Sequence, residues 1–189
     1  MKLAGLIYLH EISQTRMSGS SRKNLTMFDK LCGDDALKNV ILATTKWSEV
    51  ELDMGSRREN QLLDKYWSKM IAQGSRMARF MNTHESAWDI INLILDSDPI
   101  GALIQKELVD LQKILPETEA GKTLRCTLQQ LLEAQRASVR QLQKDSEAGG
   151  NDGLRQRHEE TTKQLHSTLH QIQELQVPLG RRILQIFSL

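Results

Sequence analysis

The most constraining feature of this sequence is the distribution of its aromatic residues. Among its 189 residues, every tryptophan and tyrosine lies before position 90, and no Phe, Trp or Tyr occurs between Asp89 and Ile186. Large rings supply much of the buried area of a compact core. The chain is therefore predicted to have two parts built on different structural rules. The boundary is placed at Asp98-Pro99, which separates residues 1–97 from residues 98–189.

The first part alternates short apolar runs with amphipathic segments. Strands are predicted at Leu3–Leu9, Asn39–Thr45 and Met77–Met81, and helices at Arg22–Cys32, Ser56–Gln73 and Glu85–Leu95. Continuous apolar runs are typical of strands whose two faces are both covered. The alternation predicts an α/β fold: a three-stranded parallel sheet in the order first-second-third, with helices on both faces. Leu3–Leu9 is then an edge strand with no visible partner.

Two details of these helices are also predicted. Gly33 follows Cys32 and is a typical residue at the end of a helix. In the last helix, the apolar spacing is expected to turn one face towards the sheet, formed by Trp88, Ile91, Ile94 and Leu95.

The second part is rich in Gln, Glu, Lys, Arg and Leu, and is predicted to be a long helical extension. Its helices are placed at Pro99–Leu115, Glu117–Asp145 and Leu154–Gln176, with a break at 146–153. The leucine stripe is narrow, and Leu128, Leu165 and Leu169 are expected to face another helix. Such a stripe favours a coiled coil or a two-helix hairpin over a globular core.

Charge and composition restrict the classes of partner. Lys and Arg number 25 against 24 acidic residues, so no basic field is present to hold a nucleic acid. Cys32 and Cys126 are isolated, as is typical of reduced thiols in a cytoplasmic protein. The run Leu3–Leu9 is too short to span a membrane and lacks the flanks of a secretory signal.

Two short patterns imitate binding motifs. Gly121-Lys122-Thr123 resembles the end of a phosphate-binding loop, but Pro116 stands where its first glycine belongs, and the segment is interpreted as a helix start. His166 and His170 have the spacing of a metal-binding pair, with only Glu174 nearby as a third ligand. A solvated polar face is the favoured interpretation of that pair, so no metal or catalytic residue is assigned.

The candidate site is the edge where the parallel strands end, because open α/β sheets bind ligands there. Thr44-Thr45-Lys46-Trp47-Ser48 follows the second strand, and the segment from Asn82 to Trp88 follows the third. Thr45-Lys46-Trp47-Ser48 resembles the guanine-recognition motif N-K-x-D of GTP-binding domains with both end residues replaced, and Glu85-Ser86-Ala87 resembles their short S-A loop. An ordinary strand-to-helix loop is the alternative for the first of these segments.

Further segments resemble the fungal G-domain-containing proteins, which lie near the septin and immunity-associated GTPases within the P-loop NTPases. They include Leu3–His10, Ser21–Asn24, Leu31–Asp34 and Ile104–Asp110. The resemblance implies that the first part is the C-terminal half of a G domain, with Leu3–Leu9 as the fourth core strand. It also implies an upstream P-loop, switch region and Asp-x-Pro-Gly magnesium motif, which this sequence does not contain.

The resemblance assigns roles to Thr45, Lys46, Ser48, Ser86 and Ala87 in binding the nucleotide base. The Lys46 stem is expected to lie over the purine, and the Ala87 N–H to donate to the base carbonyl. Ser48 replaces the aspartate that accepts from guanine, and a hydroxyl is a weaker acceptor than a carboxylate.

The chain is thus expected to be a GTP-binding-family protein that keeps only the base-recognition side and has no turnover of its own. GTP and magnesium are cofactors of the intact family rather than of this chain. The alternatives are a non-catalytic protein that associates with itself or a partner through its helical extension, and a fragment without an independent role.

Overall fold

The computed structural model describes residues 2–147 and 152–178, which form two compact units. The division falls between Gln112 and Lys113 rather than at the predicted boundary of residues 97 and 98. The Asn39 side-chain amide donates to the Asp98 carbonyl at 2.7 Å, and Leu3 and Ile100 exchange two backbone hydrogen bonds of 2.8 Å. Composition changes at Asp98, but these contacts keep the following residues in the first unit.

The first unit contains a three-stranded parallel sheet in the order β1-β2-β3. The strands are β1, Leu6–Glu11; β2, Val40–Thr45; and β3, Arg76–Arg79. Leu6 lies opposite Val40, and Ile41 lies opposite Arg76. The predicted topology is confirmed, although β1 begins later than Leu3, because Leu3 pairs with Ile100 in an antiparallel bridge.

Helices cover both faces of this sheet, as predicted. They are α1, Gly19–Cys32; α2, Leu52–Leu62; α3, Ser68–Ala72; and α4, His84–Leu95. A π-helical segment, Leu63–Trp67, joins α2 to α3 and carries the fully buried Trp67. One core lies on the face of Leu42, which packs in a cluster with Leu37 and Trp67. The other face carries Ile41 and Ala43 and packs against Ile90 of α4.

Helix α1 has well-defined ends. The Ser18 hydroxyl accepts the Ser21 N–H at 3.0 Å and caps the first turn. The helix stops at Gly33, where φ is +71°, a conformation that glycine adopts without steric cost. The predicted stop at Gly33 is confirmed.

The predicted inner face of α4 is largely wrong. Trp88, Ile91 and Leu95 are 46%, 38% and 64% exposed, whereas Ile90 is buried. Leu93 and Ile94 pack beside Ile90, so Ile94 alone of the predicted four contacts this core. Apolar residues occur on most sides of this helix, and its pattern therefore does not specify which side meets a narrow sheet.

The predicted helix Pro99–Leu115 is confirmed only in its middle. A short helix α5, Leu103–Gln105, continues into a π-helical segment, Lys106–Asp110, and a 3₁₀ turn, Leu115–Glu117, follows. Ile100 uses its backbone N–H and C=O to bridge Leu3, and Gln112 adopts a positive φ of 49°. Both features interrupt an α-helical hydrogen-bond ladder.

The second unit is a hairpin of two long helices that pack against each other: α6, Glu119–Glu147, and α7, Asp152–Glu174. Leu128 is buried, and Leu165 and Leu169 are half-buried. Residues 148–151, within the predicted break 146–153, lie outside the described residues, as do residues 179–189 at the end of the predicted extension. Every helix in the described part of the chain is too short or too polar to cross a lipid bilayer.

Candidate functional site

A cavity of about 220 Å³ lies where β2 and β3 end, and we call it the β2–β3 cavity. Its lining comes from three places in the sequence: Leu9 of β1, the loop after β2 with Thr45, Lys46, Trp47, Ser48 and Glu49, and the segment Phe80, Met81 and Asn82 after β3. The carboxyl ends of parallel strands are the usual ligand edge of an open α/β sheet. The predicted residues Thr45, Lys46 and Ser48 therefore meet in one concave site.

The loop after β2 turns sharply at Lys46, whose φ is +65° in the left-handed region. A 3₁₀ turn, Trp47–Glu49, follows it. The Trp47 indole N–H donates to the Thr44 hydroxyl at 3.1 Å, and the indole is buried beneath the loop. The short turn thus places Lys46, Ser48 and Glu49 around the cavity while Trp47 anchors them.

A buried carboxylate supports this anchor. Glu59, which is 3% exposed, shares the single Arg79 Nε–H between its two oxygens, at 3.0 and 2.9 Å, and accepts a further hydrogen bond from Arg79 Nη2. The Thr44 hydroxyl donates to the same carboxylate at 3.2 Å. The Arg79 guanidinium lies 4.3 Å from the centre of the Trp47 ring, within cation–π range. Hydrogen bonding to Glu59 raises the pKa of Arg79.

Sequence reasoning missed this network. Its signal was an arginine within a predicted strand and a glutamate within an amphipathic helix. A glutamate is rarely buried unless it is paired, and its partner Arg79, itself partly exposed, lies 20 residues away in the chain.

The mouth of the cavity carries an ion pair. Lys46 Nζ lies 2.9 Å from Glu49 Oε1, and both side chains are about half exposed. The hydrogen bond from Lys46 lowers the pKa of Glu49, and the same bond raises the pKa of Lys46. Glu49, which was not predicted as a site residue, brings a carboxylate into the cavity one position after Ser48.

The other predicted residues, Ser86 and Ala87, lie outside the lining of the cavity. The buried Ser86 hydroxyl accepts the Met81 N–H at 3.1 Å and donates to the Thr83 carbonyl at 3.0 Å, which fixes the start of α4. The Ala87 N–H donates to the same Thr83 carbonyl at 3.2 Å. The Ala87 amide is thus used by the first turn of α4 in this structure, and its donation to a base stays a prediction.

Asn82 takes the place that Ser86 and Ala87 were expected to fill. It lines the cavity directly and adopts a φ of +60°. Asparagine is one of the few side chains that enter the left-handed region readily. A positive φ in the loop after a strand is not visible in the residue pattern, which is why sequence reasoning did not select it.

An apolar groove of about 210 Å³ adjoins the cavity, and we call it the α4 groove. It is lined by Ile7, Leu9, Phe80, Ala87, Ile90 and Ile91. Leu9 and Phe80 belong to both concavities. Leu9 is 63% exposed and Ile7 40%, so the groove is an open apolar surface.

The two segments that resemble binding motifs, Gly121-Lys122-Thr123 and the pair His166 and His170, lie in the hairpin. The Gly121 N–H donates to the Thr118 hydroxyl at 2.9 Å and the Lys122 N–H to the Thr118 carbonyl at 2.9 Å, so this segment caps α6, as interpreted. His170 lies 3.7 Å from Glu174 on the exposed side of α7. Within residues 2–147 and 152–178, His, Cys, Asp and Glu side chains form no group of three that could hold a metal ion.

Comparison with known proteins adds no assignment. No family model, curated protein or solved structure matches this chain. A function must therefore be argued from the geometry of the β2–β3 cavity and the chemistry of its lining.

Proposed function

We propose that the β2–β3 cavity binds the base of a guanine nucleotide and that the chain is a G-domain-family protein which recognises the base without hydrolysing the nucleotide. The observation that carries this proposal is the convergence of Thr45, Lys46 and Ser48 with Asn82 in one cavity of about 220 Å³ at the ligand edge of the sheet. These residues come from two separate loops, and the resemblance to guanine-recognition motifs concerned the same two loops.

The chemistry of the lining supports a planar, hydrogen-bonding ligand. Leu9, Phe80 and the Lys46 stem offer apolar surface, while Ser48, Glu49 and Asn82 offer polar groups. Guanine presents adjacent N–H donors, and the Glu49 carboxylate is a stronger acceptor than the Ser48 hydroxyl. Glu49 therefore supplies the charge that is missing at Ser48.

Binding is expected to be weak. Phosphate and magnesium contacts dominate affinity in P-loop proteins, and the only phosphate-loop-like segment of the described chain uses its Gly121 and Lys122 amides in a helix cap. A base held by a few hydrogen bonds and one apolar wall corresponds to a Kd on the order of 0.1–1 mM.

The test is a titration of the whole chain with guanosine, GMP and adenosine, in which binding is detected by ligand-observed NMR. Lys46→Ala and Glu49→Gln are expected to weaken guanosine binding at least about fivefold, roughly 1 kcal/mol. Lys23→Ala, an exposed charge on α1, is the matched control and should bind like the parent. Equal binding by all four proteins, or no guanosine signal at millimolar ligand, would exclude the proposal.

A second candidate function is a non-catalytic interaction protein that associates through the α6–α7 hairpin. One observation favours it: Leu131 of α6 is 40% exposed on a helix pair that forms a unit of its own. Leu131→Glu should then lower the solution mass of a hairpin-mediated assembly while guanosine binding stays unchanged.

A further inference from the structure

Strand β1 forms one edge of the sheet, and one side of its backbone is open. The Ile12 N–H donates to the Thr45 carbonyl at 2.9 Å, which fixes the alternation of backbone groups along the strand. Leu6, Tyr8 and His10 then direct their N–H and C=O groups towards β2, and Ile7 and Leu9 direct theirs away from it. In the described part of the chain, no strand pairs with that outer side.

The open stretch has definite ends. Upstream, Leu3 exchanges its two backbone hydrogen bonds with Ile100. Downstream, the Glu11 carbonyl accepts the Gln14 N–H at 3.4 Å as the chain turns. Among the described residues, the outer side of β1 is thus open from Gly5 to Leu9 and at the Glu11 N–H, long enough for a short strand.

We propose that this edge pairs with the β1 edge of a second copy of the chain, in antiparallel orientation about a twofold axis at Tyr8. Ile7 then lies opposite the partner's Leu9, and Leu9 lies opposite the partner's Ile7. In this register both residues of each pair have outward backbone groups, so each pair exchanges two hydrogen bonds. Their side chains also share one face of the joined six-stranded sheet.

The charges along the edge are compatible with this pairing. From Leu3 to His10 the chain carries no Lys, Arg, Asp, Glu or Pro, the residues by which edge strands commonly avoid association. Glu11 is the one acidic side chain of β1, and in the proposed register it faces the partner's Gly5. No two like charges oppose each other across the axis.

The apolar surface beside the edge fits the same partner. Leu9 and Leu95 are 63% and 64% exposed, and Trp88 and Ile91 continue the exposed stripe of α4. In the joined sheet the two α4 grooves lie on the same face and meet across the axis. The exposed side chains of each α4 then cover the part of the Ile7 and Leu9 surface that the described residues of a single copy leave exposed.

The size of the surface sets the expected strength. One short strand pair flanked by one apolar stripe from each copy belongs with the smallest specific interfaces, which bury about 1,200 Å² in total or less. A dimer with a Kd on the order of micromolar is therefore expected.

The experiment measures the solution mass of the whole chain by sedimentation between about 1 and 100 µM, a range that brackets this Kd. The mass should rise from 21.6 kDa towards twice that value. Leu9→Lys should weaken the dimer by about tenfold or more, because it places two cations near the axis. Leu52→Lys is the matched control. Leu52 is 60% exposed and lies on α2 rather than on β1, so this variant should dimerise with the same Kd as the parent.

Hydrogen exchange gives a readout that does not depend on the variant folding. The Ile7 and Leu9 amides of the parent should be protected at high concentration and exchange rapidly on dilution. A chain that stays at 21.6 kDa throughout would overturn the proposal, since the edge would then belong to another protein's strand or to solvent. A dimer that survives Leu9→Lys and dissociates in Leu131→Glu would also overturn it, because the hairpin would be the interface.

Discussion

At the level of single residues, the buried Glu59 carboxylate connects the ends of two strands to the loop that lines the β2–β3 cavity. Arg79 of β3 and Thr44 of β2 both donate to it, and Thr44 in turn accepts from the Trp47 indole. A buried charge is tolerated only when its lone pairs are used. The position of Lys46 and Ser48 therefore depends on a group that does not itself line the cavity.

The first prediction removes the partner of that carboxylate. Arg79→Met should lower the free energy of unfolding by about 2–4 kcal/mol, because Glu59 stays buried with one remaining neutral donor. Denaturation in urea measures the change. Adding Glu59→Gln should restore part of the loss, since the amide carries no charge. Arg57→Met, an exposed arginine on the same helix as Glu59, should change stability by less than about 0.5 kcal/mol.

A second prediction concerns the two cysteines. Burial, reinforced by the nearby Asp29 carboxylate, raises the pKa of Cys32 to about 12, whereas Cys126 is exposed. At pH 8 the thiolate fraction of Cys32 is then about 10⁻⁴. One thiol per chain should react rapidly with Ellman's reagent in the native protein, and both should react in denaturant. Cys126→Ser should abolish the rapid phase, and its persistence would show that Cys32 is accessible.

The sequence allowed prediction of the cavity-lining residues that come directly after a strand, but not of the lining residue set by backbone conformation. Thr45, Lys46 and Ser48 follow an apolar run that could only be a strand, so their meeting at the sheet edge could be expected. Whether Asn82 or Ala87 lines the cavity could not be predicted, because this depends on where α4 begins and which backbone amides its first turn uses. Ser86 fixes the start of α4 through its hydrogen bonds to Met81 and Thr83.

At the level of elements, prediction succeeded where a glycine ends a helix or a continuous apolar run forms a strand. It failed where a helix has apolar residues on several of its sides. The end of helix α1 could be placed at Gly33, because this glycine, whose φ is positive, follows a clear periodic apolar pattern. The buried face of α4 could not be predicted, since apolar residues occur on most of its sides and β1 leaves part of the sheet open. The composition of the segment after Pro99 predicts one continuous helix, but the bridge from Ile100 to Leu3 delays its start and the positive φ of Gln112 ends it early.

The third prediction tests the hairpin as an element. Leu165→Asp should melt α7, because it removes the apolar contact of a half-buried leucine, a part of the about 1.5–3 kcal/mol of full burial, and a carboxylate in its place is poorly solvated. Far-UV circular dichroism should show lost helicity, and limited proteolysis should cut the hairpin while residues 2–112 resist. Gln164→Asp, at the adjacent exposed position, is the matched control and should leave α7 folded. Cooperative unfolding of the sheet by Leu165→Asp would mean that the two units fold as one.

At the level of the whole molecule, the proposed function implies binding of the base without phosphoryl transfer. The fourth prediction is that the purified chain hydrolyses neither GTP nor ATP above the blank, because positioning and charge stabilisation of the phosphates provide nearly all of that catalysis. Phosphate release with and without magnesium is the measurement. Magnesium-dependent turnover that disappears in Lys46→Ala would contradict it and would place a complete catalytic site at the β2–β3 cavity.

Leu9 and Phe80 are shared by the β2–β3 cavity and the α4 groove. A ligand that moves either side chain in one concavity changes the shape of the other, so occupancy of the two is thermodynamically linked. Under the two proposals above the linkage is reciprocal: whatever factor the bound base applies to the association constant of the copies, association applies the same factor to the affinity for the base. Two shared side chains would then make ligand saturation depend on protein concentration, with no element of the fold changing its position.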